Sequence, residues 1–371
     1  MKLRTRLAIS LGVLVLAGPI ACAPAQDRAS GLPVPLAQLP KAGANPSLAA
    51  NTVITRFAVG SCDRQDASQA FWPAIAARQP QVFLMIGDNV YGDPGWNGAP
   101  DLGSFRAAYA KLAASPEFAV FRSKVPMLEV WDDHDFGPND GGGTFAYKLF
   151  SEQIFETFWD APRDARSHAG VYHSSIHGPA GRRVQFIMLD TRFFRSDLTK
   201  VPEAERAGRL GSSAPDSNPA EQMLGQEQWQ WLQRELAKPA DLRIVASSVQ
   251  VLTEAHHFES WANFPLQRQR LLDLLAARAP SGLLLLSGDR HSAAIYALES
   301  GGARFDELTA SSLNAPSSAD VTAREPDPLR QTAMFGQANF GMVDIDWGQR
   351  KLALEVTGVD GAPLARRQVA F

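Results

Sequence analysis

Side chains that can bind a metal ion follow four short apolar segments of this 371-residue sequence. The segments end in Gly60-Ser61-Cys62-Asp63, Gly87-Asp88-Asn89-Val90-Tyr91, Trp131-Asp132-Asp133-His134-Asp135 and Gly288-Asp289-Arg290-His291. Carboxylate and amide oxygens suit hard ions such as Ca²⁺, Mg²⁺ and Mn²⁺, whereas imidazole and thiolate suit iron or zinc. Because ligands of open α/β sheets bind at the carboxyl ends of the strands, these side chains are expected to share one site. The pattern predicts a centre with two or three metal ions.

Two of these residues indicate what the centre would do. A phenolate from Tyr91 would favour ferric iron over zinc, because it is a hard, electron-donating anion. Asp88 could bridge two ions through its two carboxylate oxygens. Paired ions about 3.5–4 Å apart lower the pKa of a bound water and hold both oxygens of an in-line displacement, as hydrolysis of a phosphate ester requires. Taken singly, Cys62 is equally compatible with a buried hydrophobic cysteine, and His134 with a hydrogen-bonded structural histidine.

The composition excludes several classes of protein. Hydrophobic residues make up 45% and charged residues 20% of the chain, which is ordinary for a globular protein. The net charge is −3 and no basic run follows the first residues, so nucleic-acid binding is not expected. A G-x-S-x-G motif is absent, which argues against a serine hydrolase of the α/β-hydrolase type.

The N-terminus has the pattern of an export leader. Three basic residues precede the apolar stretch 7–21, which is short for a membrane span of about 20 residues. Small residues that fit cleavage after Ala25 follow, so residues 1–25 are expected to be a signal peptide. Alternatively, a lipoprotein signal ends at Cys22, whose lipid would tether the protein to a membrane. We expect a flexible tether over 26–52 and a protein that is periplasmic or secreted.

Apolar runs and helix-like stretches alternate along the rest of the chain. Strands are predicted at 55–60, 82–86, 127–130, 184–189, 243–248 and 283–287. Helices are predicted at 67–78, 102–113, 144–158, 225–236 and 265–278. Four strand-like segments without helices follow, at 295–298, 304–309, 341–346 and 352–356. The alternation predicts one α/β domain over 53–371 with an antiparallel finish, and two polar loops at 195–223 and 315–335.

The chain resembles the alkaline phosphatase D (PhoD-like) family, a branch of the metallophosphoesterases. The matching stretches are GSCDRQD (60–66), MIGDNVYGD (85–93), VWDDHDFGPNDGG (130–142), MLDTRFFRSDL (188–198), MLGQEQWQWL (223–232), SSVQVL (247–252), SGDRHSA (287–293), ELTASSLN (307–314) and NFGMVDID (339–346). The resemblance implies a four-layer α/β/β/α sandwich. It also implies an exported enzyme that hydrolyses phosphate monoesters or diesters by attack of a metal-activated water.

The resemblance implies a set of metal ligands as well. The family's ferric iron ligands correspond in position to Cys62, Asp88, Tyr91, Asp289 and His291. Calcium in the family uses the shared aspartates and an asparagine, for which Asn139 is the candidate. Asp133 could take the place of that asparagine. Zinc or manganese instead of iron and calcium stays an alternative.

Other residues are expected to contact the substrate. His134 matches the histidine that protonates the leaving group or orients the phosphate in related phosphoesterases. Arg192 and Arg290 could hold a phosphate with their guanidinium groups, although each could equally form a salt bridge under a loop. His256 or His257 offers a further ligand, because related enzymes take one from the corresponding place.

The resulting hypothesis is a monomeric phosphoesterase acting on a small-molecule or lipid phosphate ester. Two alternatives remain at this point. One is a phosphodiesterase of phospholipase D-like specificity with the same metal centre. The other is an exported protein that binds metal without catalysis.

Overall fold

The computed structural model describes residues 33–279, 282–317 and 325–371. The strands are β1 Arg56–Gly60, β2 Phe83–Ile86, β3 Met127–Val130, β4 His173–His177, β5 Val184–Met188, β6 Leu242–Ala246, β7 Leu283–Ser287, β8 Ala293–Ser300, β9 Ala303–Ala310, β10 Asn339–Asp346, β11 Lys351–Gly358 and β12 Pro363–Ala370. The helices are α1 Phe71–Ala77, α2 Gly103–Ala113, α3 Pro116–Arg122, α4 Asp133–Phe136, α5 Lys148–Trp159, α6 Gly225–Leu236 and α7 Pro265–Arg278. Among the described residues, every helix is too short or too polar to span a bilayer. The leader predicted at 1–25 lies outside these residues.

The described strands form two six-stranded sheets. The first sheet has the order β12-β11-β10-β1-β2-β3, in which β1, β2 and β3 are parallel and β10, β11 and β12 are antiparallel. The second has the order β4-β5-β6-β7-β9-β8, with β5, β6, β7 and β9 parallel and an antiparallel strand at each edge. The antiparallel finish of the chain is confirmed, but its strands are divided between the two sheets.

The two sheets pack face to face and helices cover their outer faces. The rings of Phe57 in β1 and Phe186 in β5 meet edge to face between the sheets, with centroids 5.5 Å apart. On the outer face of the first sheet, Trp72 of α1 packs on Phe83 at 5.5 Å. Helices α6 and α7 pack on the outer face of the second sheet, where Ile187 belongs to their core. The predicted four-layer α/β/β/α architecture is therefore confirmed.

Side chains of β5 show why the central runs are continuously apolar. Phe186 and Met188 face the core between the sheets, whereas Ile187 and Leu189 face α6 and α7. Successive side chains of a strand point to opposite faces, so a strand covered on both sides needs apolar residues at every position.

Two strands, β4 and β12, lack a continuous apolar sequence, and the sequence analysis did not predict them. Strand β4 has the polar sequence HSSIH and pairs with β5 along its whole length. Strand β12 lies at the edge of the first sheet and is largely exposed. An edge strand can be held by backbone pairing without two buried faces, and it then lacks the apolar run that marks a central strand.

Residues 33–52 differ from the flexible tether that we expected. The side-chain amide of Asn45 donates to the carbonyl of Met127 at 2.9 Å and accepts from the amide of Met127 at 2.9 Å. Arg122 donates through Nε to the carbonyl of Gly43 at 2.9 Å, and Leu39 is buried. This part of the Ala- and Pro-rich stretch is packed on the domain, because the side chain of Asn45 and the carbonyl of Gly43 satisfy polar groups at the ends of β3 and α3.

Candidate metal centre

The loops after β1, β2, β3 and β7 meet at one end of the sandwich. The amides of Cys62 and Asp63 donate to the carbonyls of Gly87 and Asp88, at 3.2 and 2.8 Å. The amide of Leu313, after β9 of the second sheet, donates to the carbonyl of Ser61 at 2.9 Å. Parallel strands end at the same edge, and these bonds join the ends of both sheets. The polar residues that follow the apolar runs are thus brought together.

Two glycines make this approach possible. A Cβ on Gly87, whose φ is +113°, would lie 2.6 Å from the Cβ of Asp132. A Cβ on Gly288 would lie 2.6 Å from the hydroxyl of Ser61. Both distances are shorter than any real contact, so the Gly-Asp pairs reflect close packing of strand ends from different parts of the sandwich.

One group of donors converges on a single carboxylate oxygen. Asp88 Oδ2 lies 3.4 Å from the Sγ of Cys62 and 3.3 Å from the hydroxyl of Tyr91. The Tyr91 hydroxyl lies 3.4 Å from Nε2 of His291. Thiol, carboxylate, phenol and imidazole therefore face one small volume, and Cys62, Asp88 and His291 could hold a metal ion together.

A second group consists of carboxylates alone. One oxygen from each member lies within 4.8 Å of the others in the set Asp88, Asp132, Asp133 and Asp289. Asp88 belongs to both groups, as a bridging ligand would. An all-oxygen set next to a set with sulfur and nitrogen provides two chemically different sites that share one residue.

The backbone is strained where these side chains are presented. Cys62, Asp88, Asp289 and His291 have φ values of 59°, 49°, 63° and 52°. Such left-handed conformations cost a non-glycine residue on the order of 1–3 kcal/mol and concentrate at functional sites. Four strained residues among the five expected iron ligands indicate that the fold holds these side chains at a stability cost.

The pKa values of the buried carboxylates indicate an excess of negative charge at the centre. Burial, opposed by His134 and reinforced by Asp133, raises the pKa of Asp88 to about 8. Burial and the neighbouring Asp132 and Asp133 also raise the pKa of Asp289 well above its usual range. Without a positive ion, some of these groups would have to bind protons. The donor chemistry and the unbalanced negative charge both fit a metal centre.

His134 is fixed at the edge of this centre. Its Nδ1 lies 2.6 Å from Oδ1 of Asp93, and its ring lies 4.3 Å from the ring of Tyr91. Burial lowers its pKa, but the carboxylates of Asp133, Asp88 and Asp93 outweigh burial and raise the pKa to about 11. With Nδ1 held by Asp93, the other ring nitrogen can face the cleft that His134 lines.

The two predicted substrate-binding arginines are engaged with carboxylates. Arg192 is 0% exposed. Its Nε lies 2.5 Å from Oδ1 of Asp132 and its Nη1 lies 2.5 Å from Oε2 of Glu259. Arg290 is nearly buried and pairs with Glu325. For Arg192 this geometry agrees with the salt-bridge alternative and differs from the expected contact with substrate.

Asn139, His256 and His257 are outside the group of donors that converges on Asp88. Asn139 is exposed and lines the rim of the cleft beside Asp133. His256 is buried and shares a hydrogen bond of 3.0 Å with Gln250, whereas His257 lines the cleft. Neither histidine is among the groups of candidate ligands in the described part of the chain.

Sequence reasoning missed two acidic residues that support the centre, Asp93 and Glu259. Asp93, which holds His134, ends the MIGDNVYGD stretch, so its position was a usable signal. Glu259 binds both Arg192 and Arg195, the latter at 3.0 Å between Nε and Oε1. Nothing in the local sequence around Glu259 indicates this role.

The centre opens into a cleft of about 640 Å³. The described lining residues include Asp133, His134, Asn139, Asp140, Gly211, Ser212, Ser213, His257, Phe258, Glu259, Asp289, Arg290 and His291. Candidate ligands thus form one end of a cavity that is large enough for a small organic molecule.

Comparison with known proteins agrees with this fold. The family model of the PhoD-like phosphatases matches residues 158–356, more than half of the chain, and the chain belongs to that family. Alkaline phosphatase D of Bacillus subtilis (strain 168) is 22% identical over 290 residues, which cover 67% of this chain and 47% of that protein. The chain thus spans about half the length of that relative. A solved structure of PhoD shares the fold, with a TM-score of 0.63 and 18% identity over 90% of this chain and 70% of the other.

Proposed function

We propose that this chain is a metal-dependent phosphoesterase that hydrolyses phosphate monoesters, diesters or both. The observation that carries the proposal is the convergence of Cys62, Tyr91 and His291 on Asp88, beside a set of carboxylates that outnumber their cationic neighbours. Membership of the PhoD-like phosphatases supports the same reaction.

The donor types suggest which ion each group would hold. Thiolate, phenolate and imidazole from Cys62, Tyr91 and His291 suit ferric iron, with Asp88 as the shared ligand. The oxygens of Asp133 and Asp289 suit calcium. Bound at these positions, such ions would lower the pKa of a water and offset the negative charge of the phosphate.

His134 would act on the leaving group. Asp93 holds Nδ1, so the ring keeps one orientation with Nε2 available to a ligand in the cleft. We propose that Nε2 donates a proton to the ester oxygen as it leaves. A general acid of this kind contributes typically about 10²–10⁴-fold to the rate.

The proposal is tested by linking turnover to metal content. Purified protein should hydrolyse p-nitrophenyl phosphate or bis(p-nitrophenyl) phosphate, lose that activity on chelation and regain it when metal is restored. Iron held by Cys62 and Tyr91 should give charge-transfer absorption, and Cys62→Ala should remove the part that the thiolate contributes. Metal binding without turnover of either ester would contradict the proposal. A colourless, active protein containing zinc or manganese would overturn only the choice of iron and would leave the proposed reaction in place.

We also propose that the protein is exported, on the evidence of its first residues. Mass spectrometry of the mature N-terminus from a periplasmic or secreted fraction tests the expected cleavage after Ala25. Incorporation of labelled fatty acid that depends on Cys22 would favour the lipoprotein alternative. A full-length N-terminus in the cytosolic fraction would contradict export.

A further inference from the structure

The cleft extends well beyond the candidate metal ligands. Its far side is lined by Gly211, Ser212, His257, Phe258 and Arg290, none of which belongs to the groups that could hold an ion. A volume of about 640 Å³ is much more than a phosphate group requires. If the phosphate lies at the ligands, the organic part of the ester must lie against this far side.

Phe258 gives the far side its chemical character. Its ring is partly exposed, and the guanidinium of Arg290 lies 4.6 Å from its centroid. Because Arg290 is also paired with Glu325, its charge is balanced within the protein. Because Arg290 is nearly buried, the surface presented to the cleft is mainly the partly exposed ring of Phe258, next to a charge that is balanced. Such a surface favours a planar ring over an alkyl chain or an additional anion.

His257, next to Phe258, is held in one orientation. Its Nδ1 lies 3.2 Å from the carbonyl of Ser213, and its Nε2 lies 3.1 Å from Nη1 of Arg209. A neutral imidazole satisfies both contacts, donating from Nδ1 and accepting at Nε2. Two backbone bonds of 2.7 Å, from the amide of Ser213 to the carbonyl of His257 and from the amide of His257 to the carbonyl of Leu210, fix this wall.

We propose that Phe258, flanked by His257 and Arg290, forms a subsite for a flat ring carried by the phosphate ester. The substrate class is therefore an aryl or nucleoside phosphate ester. This inference rests on the proposed phosphoesterase function, since it assumes that the phosphate lies at the metal ligands. Phe258 sets specificity and takes no part in the chemical step.

Inhibition by phosphonates tests the subsite whether the enzyme prefers monoesters or diesters. Phenylphosphonate and methylphosphonate are compared as competitive inhibitors of p-nitrophenyl ester turnover by the metal-loaded protein. Wild-type protein should bind phenylphosphonate about tenfold more tightly than methylphosphonate. Phe258→Ala and Phe258→Leu should reduce that preference to below about twofold, and Phe258→Tyr should retain it. Val120→Ala, on the exposed face of α3, is the control that should change nothing.

A second arm separates the two sources of the ring. Uridine 5′-monophosphate is compared with ribose 5-phosphate, which lacks the base. If uridine 5′-monophosphate binds more tightly than ribose 5-phosphate and Phe258→Ala abolishes this difference, the substrate is a nucleoside ester. If only phenylphosphonate binds more tightly than its methyl counterpart, the substrate is an aryl ester.

The proposal fails if wild-type protein binds the members of both pairs equally, or if Phe258→Ala and Phe258→Leu keep the preference. These outcomes leave the proposed function intact, because they are measured on an active enzyme. Absence of turnover of every phosphate ester by metal-loaded wild-type protein would instead overturn the proposed function, and this inference with it.

Discussion

Two buried clusters of charge differ in how their charge is balanced. In the first, at the ends of β3 and α3, Nη1 of Arg122 lies 2.6 Å from Oε1 of Glu129. The same guanidinium donates to the carbonyls of Trp159 and Gly43, at 2.6 and 2.9 Å. The second cluster is the candidate metal centre, where several carboxylates face one another and the pKa of Asp88 is raised to about 8.

The difference separates a structural ion pair from a binding site. The charges of Arg122 and Glu129 balance each other, and backbone carbonyls accept further hydrogen bonds from the guanidinium. The pair therefore needs no ion from solution. The carboxylates of the centre have His134 and Arg192 as cationic neighbours, and these do not balance them. A buried excess of one charge is costly unless an ion supplies the other. This contrast predicts opposite effects of mutation in the two clusters.

The largest effect is expected from Asp88→Asn. The change keeps the size of the side chain and removes the charge shared by both groups of ligands. We expect loss of bound metal and a fall in kcat/KM of at least about 100-fold, with little loss of stability. Metal analysis, turnover and thermal unfolding on one preparation measure all three.

Asp101→Asn is the matched control, because Asp101 forms an exposed pair with Arg106. It should retain both metal and activity. Stoichiometric metal and near-normal turnover in Asp88→Asn would contradict the assignment of a shared ligand.

His134→Ala should affect substrates unequally. The variant should retain its metal and lose about 100-fold or more on an alkyl phosphate, whose leaving oxygen needs a proton. The loss on an aryl phosphate should be smaller, because that oxygen leaves readily without one. Asp93→Asn, which removes the negative charge of the partner of Nδ1, should show the same pattern to a lesser degree. Equal losses on the two esters, at matched metal content, would exclude the role of a general acid.

Arg122→Met should have the opposite effect to Asp88→Asn, namely a loss of stability without a loss of activity. It leaves Glu129 buried without its partner and should lower the free energy of unfolding by about 3–5 kcal/mol. The folded fraction should keep its kcat/KM. The double variant Arg122→Met with Glu129→Leu should recover much of that stability, as measured by urea unfolding. A loss of activity per folded molecule would show that the two clusters are coupled.

The smallest effect concerns His173, a buried histidine outside both clusters. Burial lowers the pKa of His173, whose Nδ1 contacts the carbonyl of Val171 at 3.2 Å. Its contribution to stability is complete above the unfolded pKa of about 6.5 and decreases as the pH falls, because the unfolded chain binds the proton first. His173→Gln should therefore flatten the loss of stability between about pH 6.5 and 5.5, by less than about 1 kcal/mol. Parallel pH profiles of the two proteins would contradict this.

Much of the fold and of the candidate centre follows from local sequence. Continuous apolar runs mark β5, β6 and β7, because strands covered on both faces need apolar residues throughout. The residues directly after such runs must lie at the ends of parallel strands. That rule places Cys62, Asp88, Asp133 and Asp289 at strand ends, and the packing of the two sheets brings those ends together in two groups that share Asp88.

The tertiary structure decided which side chains find partners far away in the chain. Arg192 lies after a strand as Asp88 does, but it meets Asp132 and Glu259, 60 and 67 residues away, and is fully buried. The polar strand β4 and the packed residues 33–52 depend in the same way on backbone groups of other segments. Sequence alone determined which chemical groups reach the strand ends. Which of these groups are neutralised there depends on distant residues that packing brings into contact. A local sequence pattern does not contain information about such contacts.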